Sequence, residues 1–330
     1  MADGDQTGSA APPPPALASP AAIGVLLHCP PASPGLAATL ASLLGAAAGL
    51  DWQLVAVQHR PEPLLDAFAA QQPPGRVQLL VAAPDATPAH CRNQALAHCQ
   101  AELVACLEAG QRCLPGRLAG PLQLLQEHQE IDLVWGGWRV GAQQHEPWQR
   151  QPGFSAAARL QDPCLAAGAL TVRRPVLEEL QGFAADLPAW SGVDLALRLE
   201  QAGGGSAWLA APLLQWRPAA TAQPWPVAAL QAGWERLLQR HGEGLRPEQL
   251  VELRCAALAW CAGLAWHQQQ PQQCRSLLLE AALSAPLPLP RALALLLEQF
   301  SRSQRWCGGD GDAAALLASP LWARALALWS

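Results

Sequence analysis

From Ala22 to Trp135 the chain repeats one unit: a short apolar run, a turn-prone break, then a stretch with helical spacing. Ala22-Ile23-Gly24-Val25-Leu26-Leu27 has the pattern of a buried strand and stops at Pro30-Pro31. Leu36 to Leu44 has helical spacing and ends near Gly45. Gln53 to Val57 reads as a second strand, closed by Arg60-Pro61-Glu62-Pro63. A short helix over Leu64 to Ala70, a strand over Val77 to Val81 and a helix from Pro88 to His98 follow. Leu103 to Leu107 is the next strand, Pro115 is expected to open a helix reaching Glu127, and Asp132-Leu133-Val134-Trp135 begins a further strand. Strands and helices alternating at such short intervals specify an α/β fold, a doubly wound and mainly parallel sheet. Ligands of such sheets sit beyond the carboxyl ends of the strands, which here are His28–Ser33, Gln58–Pro61, Ala83–Pro88 and Glu108–Gln111.

The character changes on either side of this region. Residues 1–20 are Ala, Pro, Gly and Ser with few large apolar side chains and are expected to form a disordered arm. Beyond Pro226, Ala228–Arg240, Pro247–Trp266, Pro271–Leu283 and Pro290–Phe300 read as helices, several with Pro near the start. The pair Ala256–His267 and Cys274–Leu283 has the outline of a single tetratricopeptide hairpin. One such unit does not make a solenoid, so the reading is a C-terminal α-helical appendage. The expected organisation is an arm at 1–20, an α/β domain at 21–218 and a helical region at 219–330.

Composition narrows the function classes. Hydrophobic residues make up 51% and charged residues 14%, which supports a sizeable core. Net charge is −5, and the basic residues, all Arg, are scattered, so no stripe suited to a nucleic-acid backbone exists. None of the ten Cys forms a Cys-x-x-Cys pair, which argues against a zinc ribbon or dithiol and for buried reduced thiols. No basic n-region precedes an apolar stretch at the N-terminus, and Cys255–Trp266 is too short to span a bilayer. A cytoplasmic protein without a transmembrane segment is the expectation.

Local strings carry a resemblance. Cys91-Arg92-Asn93-Gln94-Ala95-Leu96 is followed by Ala101 to Glu108, and later come Arg173-Arg174-Pro175, Gly182-Phe183 and Gly192-Val193-Asp194-Leu195-Ala196-Leu197-Arg198-Leu199. In order and spacing these resemble family 2 glycosyltransferases of the GT-A type, a Rossmann-like nucleotide-diphospho-sugar transferase fold. The first pair is similar to the family's Ala-Arg-Asn-x-Gly-Leu helix and the strand delivering its Asp-x-Asp motif. The last is similar to its Glu-Asp-x-Asp-Leu-x-x-Arg-Leu helix. Asn93 is the only Asn in the chain.

The resemblance implies a nucleotide-sugar donor, UDP-linked, and a glycan or lipid-linked acceptor. Gln58 and His59 stand where carboxylates would meet the nucleobase and ribose; Gln offers an amide to a base edge, while His59 also reads as an exposed loop residue. Arg92 and Asn93 would shape the nucleotide pocket. Glu108 would hold any divalent Mn or Mg, since such ions take hard oxygen ligands, but Gly110 supplies no second ligand and Gln111 only a neutral carbonyl. Arg112 could neutralise phosphate instead or be a solvated surface residue. The general-base position falls on Gly192; Asp194 is either a displaced base or a residue orienting the helix that starts there. Trp135, Trp138, Trp148 and above all Trp190 fall where an acceptor groove would lie, and indole faces stack on sugar CH faces. At the C-terminal end Trp322, Leu326 and Trp329 share one helical face, which could dock on a membrane or a protein partner; with one Arg and no polybasic face, packing against the appendage is the expectation. Two readings follow: a divergent glycosyltransferase, or a catalytically inactive glycosyltransferase fold kept as a binding or scaffold module that works through its helical C-terminus.

Overall fold

The structure is a computed structural model and describes residues 21–31, 33–140, 143–145, 169–187, 190–216 and 226–284. The arm at 1–20, Trp148, the helix expected over 290–300 and the face of Trp322, Leu326 and Trp329 lie outside the described residues.

The α/β pattern folds as expected. Strands β1 (Ile23–Cys29), β2 (Trp52–Gln58), β3 (Val77–Val81) and β4 (Leu103–Glu108) pair in parallel in the order β3-β2-β1-β4. Helices α1 (Leu36–Ala46), α2 (Pro63–Ala70) and α3 (Pro88–His98) connect them. β1 and β2 are buried along their whole length, as parallel strands covered on both faces must be. Alternation divides their side chains between two cores. Ile23, Val25, Leu27, Leu54, Ala56, Leu103, Ala105 and Leu107 pack with Leu40, Leu43 and Leu65 of α1 and α2. Leu26, Val55, Val57, Val104 and Cys106 pack with Cys91 and Ala95 of α3.

The rest of the sheet is mixed. After β5 (Gln111–Cys113) and α4 (Ala119–Glu127) come β6 (Leu133–Val140), β7 (Gln143–His145) and β8 (Leu170–Arg173), then α5 (Arg174–Glu179), α6 (Ser191–Gln201) and β9 (Ser206–Trp216). β8 runs antiparallel between β4 and β6, β9 runs parallel to β6, and β5 closes the edge antiparallel to β9. Two boundaries differ from expectation. Residues 115–118 form turns, so α4 starts at Ala119, not at Pro115. β9 contains Pro212, which cannot donate to a ladder; the register shifts around Gly137↔Pro212, and this bulge admits the proline.

Arg117 is fully buried between β4 and β8. Its guanidinium donates to Thr171 Oγ1 at 2.8 Å, Cys106 O at 2.8 Å and Leu170 O at 3.1 Å. Burial pulls its pKa below the usual arginine value, yet these carbonyl and hydroxyl acceptors hold the cation in place.

The helical region is α7 (Val227–His241), α8 (Pro247–His267) and α9 (Pro271–Ser284), the last two forming a hairpin. Their apolar faces share a third core with Trp190, Val193 and Leu197 of the α6 region. The opposite side of α6 gives Leu195, Ala196 and Leu199 to the sheet core. With Ser191 to Leu197 buried without a break, α6 is covered on both sides and is the layer joining sheet and appendage. No helix among the described residues is long and apolar enough to cross a membrane.

Candidate functional site

Register brings together the carboxyl ends of β1, β2 and β4, where a ligand crevice is expected in an open α/β sheet. His28 of β1 sits opposite Glu108 of β4 and next to Val57 of β2. His28 and Glu108 share the strand face of Leu26 and Cys106, so both turn towards α3. Thr87 starts that helix with a capping box. Its hydroxyl accepts from His90 N, and His90 Nδ1 accepts from Thr87 N, both at 3.3 Å. With Pro88 at the first helical position, this start sets where Cys91, Arg92 and Asn93 point.

Those three residues take three directions. Cys91 faces His59, with its Sγ 3.8 Å from His59 Nε2. Arg92 is buried; its guanidinium pairs with Glu108 Oε1 and lies over the Phe183 ring, 5.6 Å from the centroid. Asn93 donates from Nδ2 to Phe183 O and accepts at Oδ1 from Phe183 N, both at 2.8 Å. Arg92 and Asn93 thus fix the crevice wall and the turn at 181–183. Asn93 spends both ends of its amide on that turn.

Gln58 is buried, and its Oε1 accepts from Glu62 N at 2.9 Å, closing the turn into α2. His59 is half-buried, and its ring meets that of His28 edge to face at 5.7 Å. The guanidinium of Arg60 reaches across to Pro31 O and ties the loops after β1 and β2 together. His28 is 6% exposed, and burial lowers its pKa to about 4; Glu108 opposes this, while Arg92 and His59 reinforce it. It is a neutral imidazole at physiological pH.

The segment 108–111, which the resemblance aligns with a metal-binding motif, is closed upon itself. Glu108 keeps 30% of its side chain exposed, but one carboxylate oxygen is taken by Arg92. Gln111 Oε1 accepts from Glu108 N at 3.0 Å, and Gly110 N donates to Thr39 Oγ1 at 2.9 Å. Gly110 has φ +99°, a conformation that disfavours any side chain at that position. The residues present therefore do not fit a hard divalent cation held by two carboxylates: the backbone, and not only the residue type, has moved away from that chemistry. Arg112 stands exposed on β5.

Asp194 and Trp190 are both buried, Trp190 in the core that α6 shares with the helical region. Asp194 is 0% exposed, inside an α6 that starts three residues before it, at Ser191. Its Oδ2 accepts from Arg198 Nε at 2.7 Å; its Oδ1 accepts from Arg240 Nη1 and pairs with His241 Nε2, both at 2.9 Å. Burial pushes this carboxyl up, but the hydrogen bond from His241, the Arg198 charge and the arginine hydrogen bonds outweigh it and leave its pKa lowered. A carboxylate so committed is an anchor and a poor proton acceptor.

Trp190 is 1% exposed, donates from Nε1 to Leu230 O at 3.0 Å, and packs against Trp234 with centroids 5.5 Å apart. It is core because α7 covers it. Trp135 is likewise buried, in the core under α3. Sequence reading gave no role to His28, His241, Arg240 or Trp234. His28 alone carried a local signal, its place at the end of a strand.

No protein-family model matches the chain. No curated protein matches it either. Solved structures do. Mannosyltransferase PcManGT from Pyrobaculum calidifontis, in complex with GDP-Man and Mn2+, matches 94% of this chain and 90% of its own at 16% identity and TM-score 0.56. Residues 1–349 of TarS from S. aureus match 86% of this chain and 90% of their own at 13% identity and TM-score 0.50. At these identities the likeness is one of fold, the Rossmann-like GT-A type.

Proposed function

We propose that this chain, built on the GT-A fold, is a glycosyltransferase-like protein that binds a nucleotide-sugar, UDP-linked, in the crevice at the ends of β1, β2 and β4. One observation carries the reading. The strand ends at His28, Gln58-His59 and Glu108 converge with Arg92 of α3 where ligands bind in open α/β sheets. The PcManGT complex with GDP-Man supports it by fold. Gln58 and His59 line the end where a base edge would lie, while Arg92 and Asn93 hold the wall. The unpaired thiols among the described residues, Cys29 to Cys274, suit a reducing, cytoplasmic setting.

Transfer would break the bond between the anomeric carbon and a phosphate oxygen and form one to a hydroxyl of a glycan or lipid-linked acceptor, whose proton must leave to a base. Glu108 is held by Arg92 and Asp194 by three basic side chains, which favours a second reading: the donor is held without turnover. In that reading the helical side of the molecule, α7 to α9, is the working surface for a protein partner.

Calorimetric titration of the full chain with UDP- and GDP-sugars, with and without Mn2+, tests this. Binding of a UDP-sugar that does not need Mn2+ is the expected result; absence of binding under every condition overturns the proposal. A donor-turnover assay on the bound species separates the two readings.

A further inference from the structure

One corner of the crevice carries donor chemistry unlike that of a hard cation site. His28 Nε2 is buried and lacks a hydrogen-bond partner, while His59 turns its Nε2 towards Cys91. A buried imidazole nitrogen left without a partner is unfavourable, and such an atom calls for an explanation. One donor atom each from His28, His59 and Cys91 lies within 4.8 Å of the others. His59 Nε2 and Cys91 Sγ are 3.8 Å apart.

We propose that His28, His59 and Cys91 form a binding site for a divalent transition-metal ion of the zinc class. Bond lengths of about 2.0–2.1 Å to nitrogen and 2.3 Å to sulfur place the ligand atoms of a tetrahedral ion roughly 3.4–3.7 Å from each other. The His59–Cys91 pair is already close to that spacing, and with every separation in the cluster within 4.8 Å none has to close by more than about 1.4 Å, within reach of rotamer adjustment. Two imidazoles and a thiol are borderline-to-soft donors, suited to zinc or cobalt and ill suited to Mg2+ or Mn2+. On binding, Cys91 Sγ gives its proton to solvent and ligates as thiolate. Three protein ligands leave a fourth position for water.

The fold supplies the rigidity the site needs. His28 lies at the end of a central strand and Cys91 in a helix with a capped start, while His59 is the half-buried member through which an ion enters. The neighbouring guanidinium of Arg92 is paired with Glu108, so its charge does not stand uncompensated beside the ion. A nucleophilic reading of Cys91 fits less well, because burial raises its thiol and a reactive cysteine needs the reverse.

The site shares His59 with the proposed donor pocket, so its test uses no nucleotide and its outcome is read from the metal alone. The full chain is stripped with chelator and titrated with Co2+, then with Zn2+. Stoichiometric uptake of Co2+ with the strong d–d absorption of a tetrahedral ion and a thiolate-to-cobalt charge-transfer band is expected, bleached by Zn2+ and unaffected by excess Mg2+. Cys91→Ser must lose the charge-transfer band. His59→Gln, on a half-buried loop position where folding is spared, must weaken Co2+ at least about tenfold, since even outer-shell losses weaken metal sites that much. Absence of tetrahedral absorption in the parent chain overturns the site. So does a charge-transfer band that survives Cys91→Ser, or unchanged affinity in folded His59→Gln.

Discussion

Asn93 and Phe183, 90 residues apart in the chain, exchange two hydrogen bonds: the Asn93 amide donates to Phe183 O and accepts from Phe183 N, each at 2.8 Å. One side chain thereby satisfies both main-chain groups of a turn in which Gly182 has φ +72°. A Cβ on Gly182 would stand 2.4 Å from Asn93 Oδ1. Asn93→Ala leaves both groups of Phe183 unmade and is expected to destabilise the fold by about 2 kcal/mol or more. Gly182→Ala is expected to destabilise comparably, through the disfavoured φ and the contact with Asn93. Urea midpoints at constant m-value check both.

How far this was legible in the sequence depends on whether a signal is local. β1 to β4 and α1 to α3 could be read because each is an apolar run or helical period bounded by Pro or Gly, and local patterning decides such elements. β9 could not: it is Ala-rich and contains Pro212, and it is a strand only because a bulge against Gly137 removes the need for that donor. Asn93 stands out in the sequence as the only Asn, but its partner is a backbone turn 90 residues on. The cage around Asp194 draws Arg240 and His241 from the helical region. Periodicity within α6 cannot reveal that, because the partners of Asp194 lie more than 40 residues on in the chain.

Asp194 makes acid stability a readout of that cage. Its pKa is lowered in the folded chain, so it stabilises the fold fully above the ordinary carboxyl value of about 3.9. That contribution disappears as pH falls through the lower folded value. Asp194→Asn keeps the shape but leaves Arg198 and Arg240 without their common charge, and should destabilise by roughly 3 kcal/mol near neutrality. The gap between parent and variant should close on acidification below about pH 4. A gap that stays constant down to pH 2 contradicts the cage. Denaturant melts across that range decide it.

Trp190 joins α6 to α7, and the prediction for it concerns stability first. Trp190→Ala removes the hydrogen bond to Leu230 O and the contact with Trp234, and should destabilise by about 3–5 kcal/mol. Gly233→Ala should act at the same joint, because its Cβ would stand 2.8 Å from Trp190 Cδ1. Donor affinity of the remaining folded fraction should be unchanged. A variant of parent stability with selectively weakened acceptor binding would restore a stacking role to this indole.

Glu108 offers the sharpest test of the crevice, because its two possible roles predict opposite signs. As a metal ligand it would attract the donor through a cation bridging its phosphates, and Glu108→Gln would weaken binding in the presence of Mn2+. As the partner of Arg92 it does the reverse: its negative charge stands at the ends of β1 and β4 and repels a diphosphate while masking a guanidinium. Removing that charge should then strengthen UDP-sugar binding with or without Mn2+. Releasing one charge at an effective dielectric near 20 amounts to roughly 1–2 kcal/mol at 8–16 Å, about tenfold in Kd. The salt dependence gives a second reading on the same sample. Affinity gained through an unmasked Arg92 falls as ionic strength rises, and affinity lost through a missing metal ligand is recovered by excess Mn2+. Calorimetry on the parent chain and Glu108→Gln, at two salt concentrations and with or without Mn2+, separates the two by the sign of the change. The closed geometry of Glu108, Gly110 and Gln111 predicts the gain.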